Sequence, residues 1–254
     1  MEHDFPYLYY GSYGDAKRYG KEKKYDASFR ENVVCSRAIE QAVRDYSDEN
    51  SGLTEGCAKK VLEQYGFKRV NFVLANSLQE MGCPYLISDE VRTWGQKTYI
   101  PKDGNNRYFA VDTAAVSLEA FIGQARAEYQ ALGLFGPEHC INGQSGLDYT
   151  GKVLVMSPDT LRESCWSAHN QLWLGESGFG CSPTASGRAV YATCLGDGEE
   201  ARWNREDFTG VLDEQYLPDW AMKRLTELRS TAQETSEPVQ EQAEGPTQGG
   251  MEMG

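Results

Sequence analysis

Three histidines, His3, His139 and His169, are the only imidazoles available for acid–base chemistry in this 254-residue chain. A nucleophilic serine would need the strained G-x-S-x-G turn. Gly143-Gln144-Ser145-Gly146 and Gly175-Glu176-Ser177-Gly178 do not match it, and no G-x-x-x-x-G-K-[ST] phosphate loop occurs. The run Gly175 to Gly180 is glycine-rich, but Pro183 follows and no helix opens there, so it reads as a β-turn rather than a phosphate cradle. Four soft ligands, Cys165, His169, Cys181 and Cys194, could in principle hold zinc. Zinc knuckles pair ligands two to four residues apart. Here only the first pair is close and Cys194 falls within a strand pattern, so no metal and no cofactor is expected. Acids are plentiful, but nothing in their spacing pairs them as general acid and base. No catalytic residue is assigned, and a non-enzymatic role is favoured.

Surface recognition has more material. Trp166, Trp173, Trp203 and Trp220 crowd into the last third of the chain. Arg202-Trp203-Asn204-Arg205-Glu206-Asp207 has the composition of an interaction hot spot. A small β region also needs large rings simply to fill its core. The candidate partner-binding residues are Trp203 and Arg205 with the acids Asp197, Glu199, Glu200, Glu206 and Asp207. At the other end, Tyr7, Tyr9, Tyr10, Tyr13, Tyr19 and Tyr25 interleave with Lys17 to Lys24. Such an arm could stack on bases; packing on the helices behind it is the favoured reading, because nearby acids dilute the patch.

The net charge is −13, with about −3 in residues 1–145, −5 in 146–229 and −5 in 230–254. Both folded regions are negative, which disfavours direct nucleic-acid binding and suits a protein partner with a basic surface. No stretch approaches the roughly 18 apolar residues of a membrane span. The first residues lack a basic-then-apolar leader, so a cytoplasmic location is expected. Seven widely and irregularly spaced cysteines, several inside apolar runs, read as free thiols.

The elements that would position these groups are α+β. Residues 1–135 read as a mostly helical domain with the Tyr/Lys arm. Its helices are expected over Asp26–Tyr46, from Thr54 to a stop at Gly66, over Phe67–Glu80, and from a Ser117 cap through Leu132. Residues 85–113 read as irregular, with a short strand pair at Thr98–Ile100 and Tyr108–Val111. Residues 136–150 read as a linker. Residues 151–229 read as a small antiparallel β barrel or sheet ending in a helix over Leu217–Leu228, with a hairpin at Gly196-Asp197-Gly198-Glu199. Residues 230–254 read as a disordered acidic tail.

The stretch YDASFRENVVCSRAIEQAV, Tyr25 to Val43, followed by Gly66 to Gln79 with Val73-Leu74-Ala75-Asn76, and Phe121-Ile122 through Tyr129, resembles the domain of unknown function numbered 3849. The resemblance covers about residues 5–135. The later residues Gly178 to Cys181, Asp197-Gly198-Glu199 and Leu217 to Ala221 resemble a small C-terminal module of the same genetic elements. The family implies no activity and no catalytic residue. It implies a setting: conjugative and integrative mobile elements of anaerobic gut bacteria. The expected function is a non-enzymatic binding or accessory protein of such an element, an acidic inhibitor of a host restriction or CRISPR defence or a modulator of a transfer protein. The alternatives are a nucleic-acid-binding accessory that uses the arm, or an unrecognised hydrolase.

Overall fold

The structure, a computed structural model, describes residues 5–47, 53–82, 84–102, 108–141, 147–161, 163–185 and 187–234. Its helical region comprises α1 (Tyr13–Arg18), α2 (Glu22–Tyr46), α3 (Cys57–Glu80), α4 (Asp89–Gln96) and α5 (Ala115–Ala131). Ile39 and Val43 of α2, Val73 and Leu74 of α3, and Phe121 and Ile122 of α5 meet in one buried cluster. Gly66 divides α3 at φ +77°, a left-handed conformation that glycine adopts without steric cost. The helix therefore stops and restarts where the sequence indicated two helices.

Two short helices, α1 and α4, arise where the sequence showed an arm and an irregular stretch. Ser12 and Asp15 form a reciprocal capping box at the start of α1. Val91 and Trp94 bury one side of α4, over too few turns for periodicity to reveal it. Helix α5 starts at Ala115, two residues before Ser117, which is buried inside its first turn. The strand pair expected at 98–100 and 108–111 does not form. Side chains of α3 take up its backbone groups instead: Gln79 Nε2 donates to the Thr98 carbonyl at 3.0 Å, and Val111 N–H donates to Ser77 Oγ at 2.9 Å.

The second region is a five-stranded antiparallel sheet of β1 (Val153–Met156), β2 (Leu172–Ser177), β3 (Ala189–Cys194), β4 (Glu200–Asn204) and β5 (Phe208–Val211), in the order β4-β3-β2-β1-β5. β4 and β5 lie at opposite edges, so the sheet is open rather than a closed barrel. Gly198, at φ +83°, sits in the β3–β4 hairpin. Side chains alternate: Leu154 and Met156 enter one apolar cluster with Trp173, while Val153 and Val155 enter another with Leu172 and Leu174. Helix α6 (Ala168–Gln171) leads into β2. Helix α7 (Asp219–Glu234) covers the second face through Ala221 and Leu225. It runs past the Leu228 expected from sequence; the expected tail lies, from residue 235, outside the described residues.

Polar contacts join the two regions. Asp159 accepts the Phe67 and Lys68 backbone N–H groups, each at 2.8 Å. These are orphan donors at the restart of α3, so a carboxylate from the second region caps a helix of the first. Lys97 Nζ donates to the Cys140 carbonyl at 2.7 Å, and Gln171 exchanges hydrogen bonds with the Phe135 backbone at 2.7 and 2.8 Å. Within the stretch read as a linker, Cys140 and Tyr149 are buried against the sheet.

Candidate functional site

A cleft of about 1060 Å³ opens on the helical region, between α2, the second half of α3, the N-terminal arm and residues 98–102 and 108–109. Two helical stripes build its walls. Tyr25, Ser28, Phe29 and Asn32 recur on α2 at offsets of three, four and seven. Phe72, Asn76 and Gln79 do so on α3 at four and seven. Residues at these offsets share a helix face. The third wall, Thr98 to Lys102, is tied down by Gln79, whose Nε2 donates to the carbonyls of Gly95 at 2.9 Å and Thr98 at 3.0 Å.

Arg69 sets the distance between arm and helices. It is 2% exposed, and its guanidinium donates to the carbonyls of Pro6, Tyr7 and Ser28 and to Asn32 Oδ1. Burial lowers its pKa from the ordinary value. Tyr9 is anchored on α2 by its N–H to Ser28 Oγ, 2.9 Å, and its ring meets Tyr25 edge-on at 5.9 Å. Tyr10 meets Phe72 and Tyr13 meets Tyr25 in the same edge-on manner. The rings of Tyr9, Tyr10 and Tyr13 thus pack on the helices, whereas Tyr7 and Tyr19 are exposed. Phe72 and Phe109 stack at 5.7 Å, and Phe29 stands edge-on to Phe109.

Amides are prominent among the polar groups of the cleft. Asn76 is 6% exposed, and its carboxamide has no hydrogen-bond partner among the described residues. Its oxygen and nitrogen are not among the sealed, unsatisfied polar atoms, so they are open to the cleft. Asn32 has its oxygen committed to Arg69, a group that only donates, which leaves the Asn32 NH₂ as its free function. Charged lining residues are Arg92, Lys102 and Glu80. Arg92 also pairs with Asp89. Among the described residues no histidine or aspartate lines the cleft, and burial raises the Tyr9 phenol above its ordinary pKa. Aromatic rings and amides of this kind are suited to stacking on and hydrogen-bonding a ligand.

The residues singled out from the sequence lie elsewhere and fall into three groups. Trp203 is half-buried, edge-on to Trp173 at 5.2 Å. Arg205 is 7% exposed, donates to the carbonyls of Leu147, Gly180 and Cys181, and lies 3.7 Å over the Tyr149 ring. Glu206 pairs with Arg188 at 2.6 Å, and Asp207 accepts the Asn204 N–H at 2.7 Å while facing Lys68 at 3.9 Å. Asp197, Glu199 and Glu200 sit on the β3–β4 hairpin, where Asp197 accepts the Glu199 N–H at 2.9 Å. Glu199 and Glu200 are exposed to solvent there.

His169 stacks on Trp220 at 4.0 Å, and His139 accepts the Gly136 N–H. The thiols of Cys181 and Cys194 donate to the carbonyls of Ser177 and His169. Among the described residues no three His, Cys, Asp or Glu side chains gather into a metal site. No helix among them is long and apolar enough to cross a membrane. The Gly175–Gly180 run ends β2 at Ser177 and enters a single 3₁₀ turn at Phe179–Cys181.

Sequence reasoning did not find the cleft. A signal was present: Arg69, Asn76 and Gln79 interrupt the apolar face of α3 at helical spacing.

Residues 8–130, the span that builds the cleft, match the model of a family described as protein of unknown function (DUF3849). The helical region therefore resembles that family, as its residues indicated. No curated protein and no solved structure matches the chain.

Proposed function

We propose that this chain is a non-enzymatic binding protein whose helical region receives a small ligand with a planar ring. One observation carries the reading: a cleft walled by Phe29, Phe72 and Phe109 holds the unpartnered, nearly buried carboxamide of Asn76. An apolar pocket with a few convergent polar groups is the usual form of a small-molecule site. A panel of planar aromatic compounds, anilinonaphthalene sulfonate among them, should include members that bind one per chain and raise the melting temperature. Filling the cleft with Asn76→Phe should abolish that binding. Equal binding by the filled variant would place the ligand elsewhere and defeat the reading.

The acidic hairpin supports a second role. Glu199 and Glu200 are exposed, whereas Glu206 and Asp207 are committed to Arg188 and to a backbone cap. Our reading of the hairpin is a contact for a basic protein partner, in the setting of a mobile element where such a partner would be a host-defence or transfer protein. Charge reversal at Asp197, Glu199 and Glu200 should weaken that contact, and rising salt should weaken it too, because exposed charges are screened within about 10 Å at 0.1 M. Partner capture that is indifferent to both changes would remove the hairpin from consideration.

A further inference from the structure

We propose that the ligand of the cleft is an adenine nucleotide, an assignment that rests on the binding reading above. Its first support is the character of the walls. Phe29 and Phe109 are half-buried and meet edge-on, Phe72, 3% exposed, backs Phe109, and Tyr108 is 63% exposed. Aromatic faces of this kind hold a base by stacking, whatever its sequence context.

The second support is Asn76. A carboxamide offers one acceptor and one donor in a single plane. The adenine edge carrying N6–H and N7 offers the complement, one donor and one acceptor. Guanine's O6/N7 edge offers two acceptors and would leave the Asn76 carbonyl oxygen unpaired; guanine meets a carboxamide fully only through O6 and N1–H, with the ring turned to a different edge. The lack of a protein partner for Asn76 is explained if the base is the partner. Asn32 adds a second point of contact. Arg69 fixes its oxygen, so its NH₂ remains as a donor for another ring nitrogen.

Charge is the third support. The chain is strongly acidic, yet the described lining of the cleft carries Lys102 and Arg92, the latter paired with Asp89, beside the acid Glu80. That local balance suits a phosphate at the mouth. A long polynucleotide would meet the net charge of −13 over the rest of the surface, whereas a mononucleotide would not.

Isothermal titration of the full chain with AMP, GMP, adenosine and inorganic phosphate tests the assignment. AMP should bind one per chain, with GMP weaker by about ten-fold or more. Asn76→Leu should weaken AMP to a similar extent without lowering the melting temperature, because the carboxamide has no protein hydrogen bond to lose. Lys102→Ala should weaken AMP and leave adenosine unchanged, and salt should separate the two ligands in the same way. Equal affinity for AMP and GMP, wild-type AMP affinity in Asn76→Leu, or phosphate competing as well as AMP would overturn the proposal. If planar dyes bind the cleft and AMP does not, the nucleotide assignment is wrong and the cleft reading stands; if neither binds, both are wrong.

Discussion

Arg69 shows how one side chain can hold several segments. Its guanidinium reaches two carbonyls of the arm, a carbonyl of α2 and the Asn32 side chain, and it is almost fully buried. Hydrogen bonds to a charged group are worth more than neutral ones, and their loss strands buried acceptors. Arg69→Met should therefore cost about 2–4 kcal/mol in urea unfolding and loosen the arm. A change within the range of surface substitutions would mean that water replaces the guanidinium freely. The cysteines give a second residue-scale prediction. Burial pushes the Cys35 thiol up to about 12 and the Cys57 thiol up to about 11, and it raises Cys140 as well. Thiolates are the reactive form. Of the six described cysteines, only Cys165 is not buried. Alkylation of the native protein followed by peptide mapping should modify Cys165 well before the other five, which should react only on unfolding. Early modification of Cys35 or Cys140 would contradict the packing.

At the scale of elements, the restart of α3 depends on a residue from another part of the chain. Gly66 bends the backbone, and a Cβ there would lie 2.6 Å from an Asp159 carboxylate oxygen, so glycine serves both the turn and the close approach. Asp159 then takes two N–H groups at once. Asparagine in its place can accept one and turns its own NH₂ toward the other, so Asp159→Asn should cost about 1–2 kcal/mol, the scale of a lost helix cap. The pH dependence has a definite sign. Burial raises the Asp159 pKa above the ordinary 3.8, against the backbone N–H of Lys68, the Lys68 charge, the Phe67 N–H and the Arg69 charge. Between 3.8 and the raised value the folded protein binds this proton more readily than the unfolded chain does. The contribution of Asp159 to stability is therefore greatest below 3.8, falls as pH rises through the window, and is constant above it. Asparagine does not titrate there, so the stability gap between wild type and Asp159→Asn should narrow with rising pH across the window. A gap that widens instead would show that the hydrogen bonds outweigh desolvation.

For the whole molecule, the apolar clusters and the polar contacts divide the labour. One cluster lies among the helices and two flank the sheet, while the join is made by Asp159, Lys97 and Gln171. Burial of apolar surface is what sustains a separate fold. A fragment of residues 1–135 should therefore keep its helical circular dichroism and melt cooperatively, at a lower temperature than the full chain because the cap from Asp159 is gone. A fragment with no cooperative transition would show that the two regions share one folding unit.

Much of this architecture was legible before any coordinates. The antiparallel sheet falls, and its closing helix starts, within the residues 151–229 read as a small β region, and the hairpin falls at Gly196 to Glu199. The break at Gly66 and the long amphipathic α2 are equally local signals, because propensity and period are properties of neighbouring residues. Composition likewise settled the acidity of the chain, and the residues from Tyr25 to Tyr129 carried the family resemblance that the match over 8–130 bears out. What only the tertiary structure decided is which side chains are spent. Arg205 has the makings of a contact residue in sequence and is consumed by three carbonyls and a tyrosine ring. Thr98–Ile100 has the makings of a strand, yet its ladder is replaced by one glutamine of α3. Asn76 looks like an interruption in an apolar helix and becomes the polar centre of a cleft. In each case the outcome depends on hydrogen-bond partners distant in sequence: Arg205 with Leu147, Asp159 with Phe67, Asn32 with Arg69. A period along one helix reports which face is buried; it carries no information about which distant donor or acceptor will meet that face, and the chemistry of this site resides in those meetings.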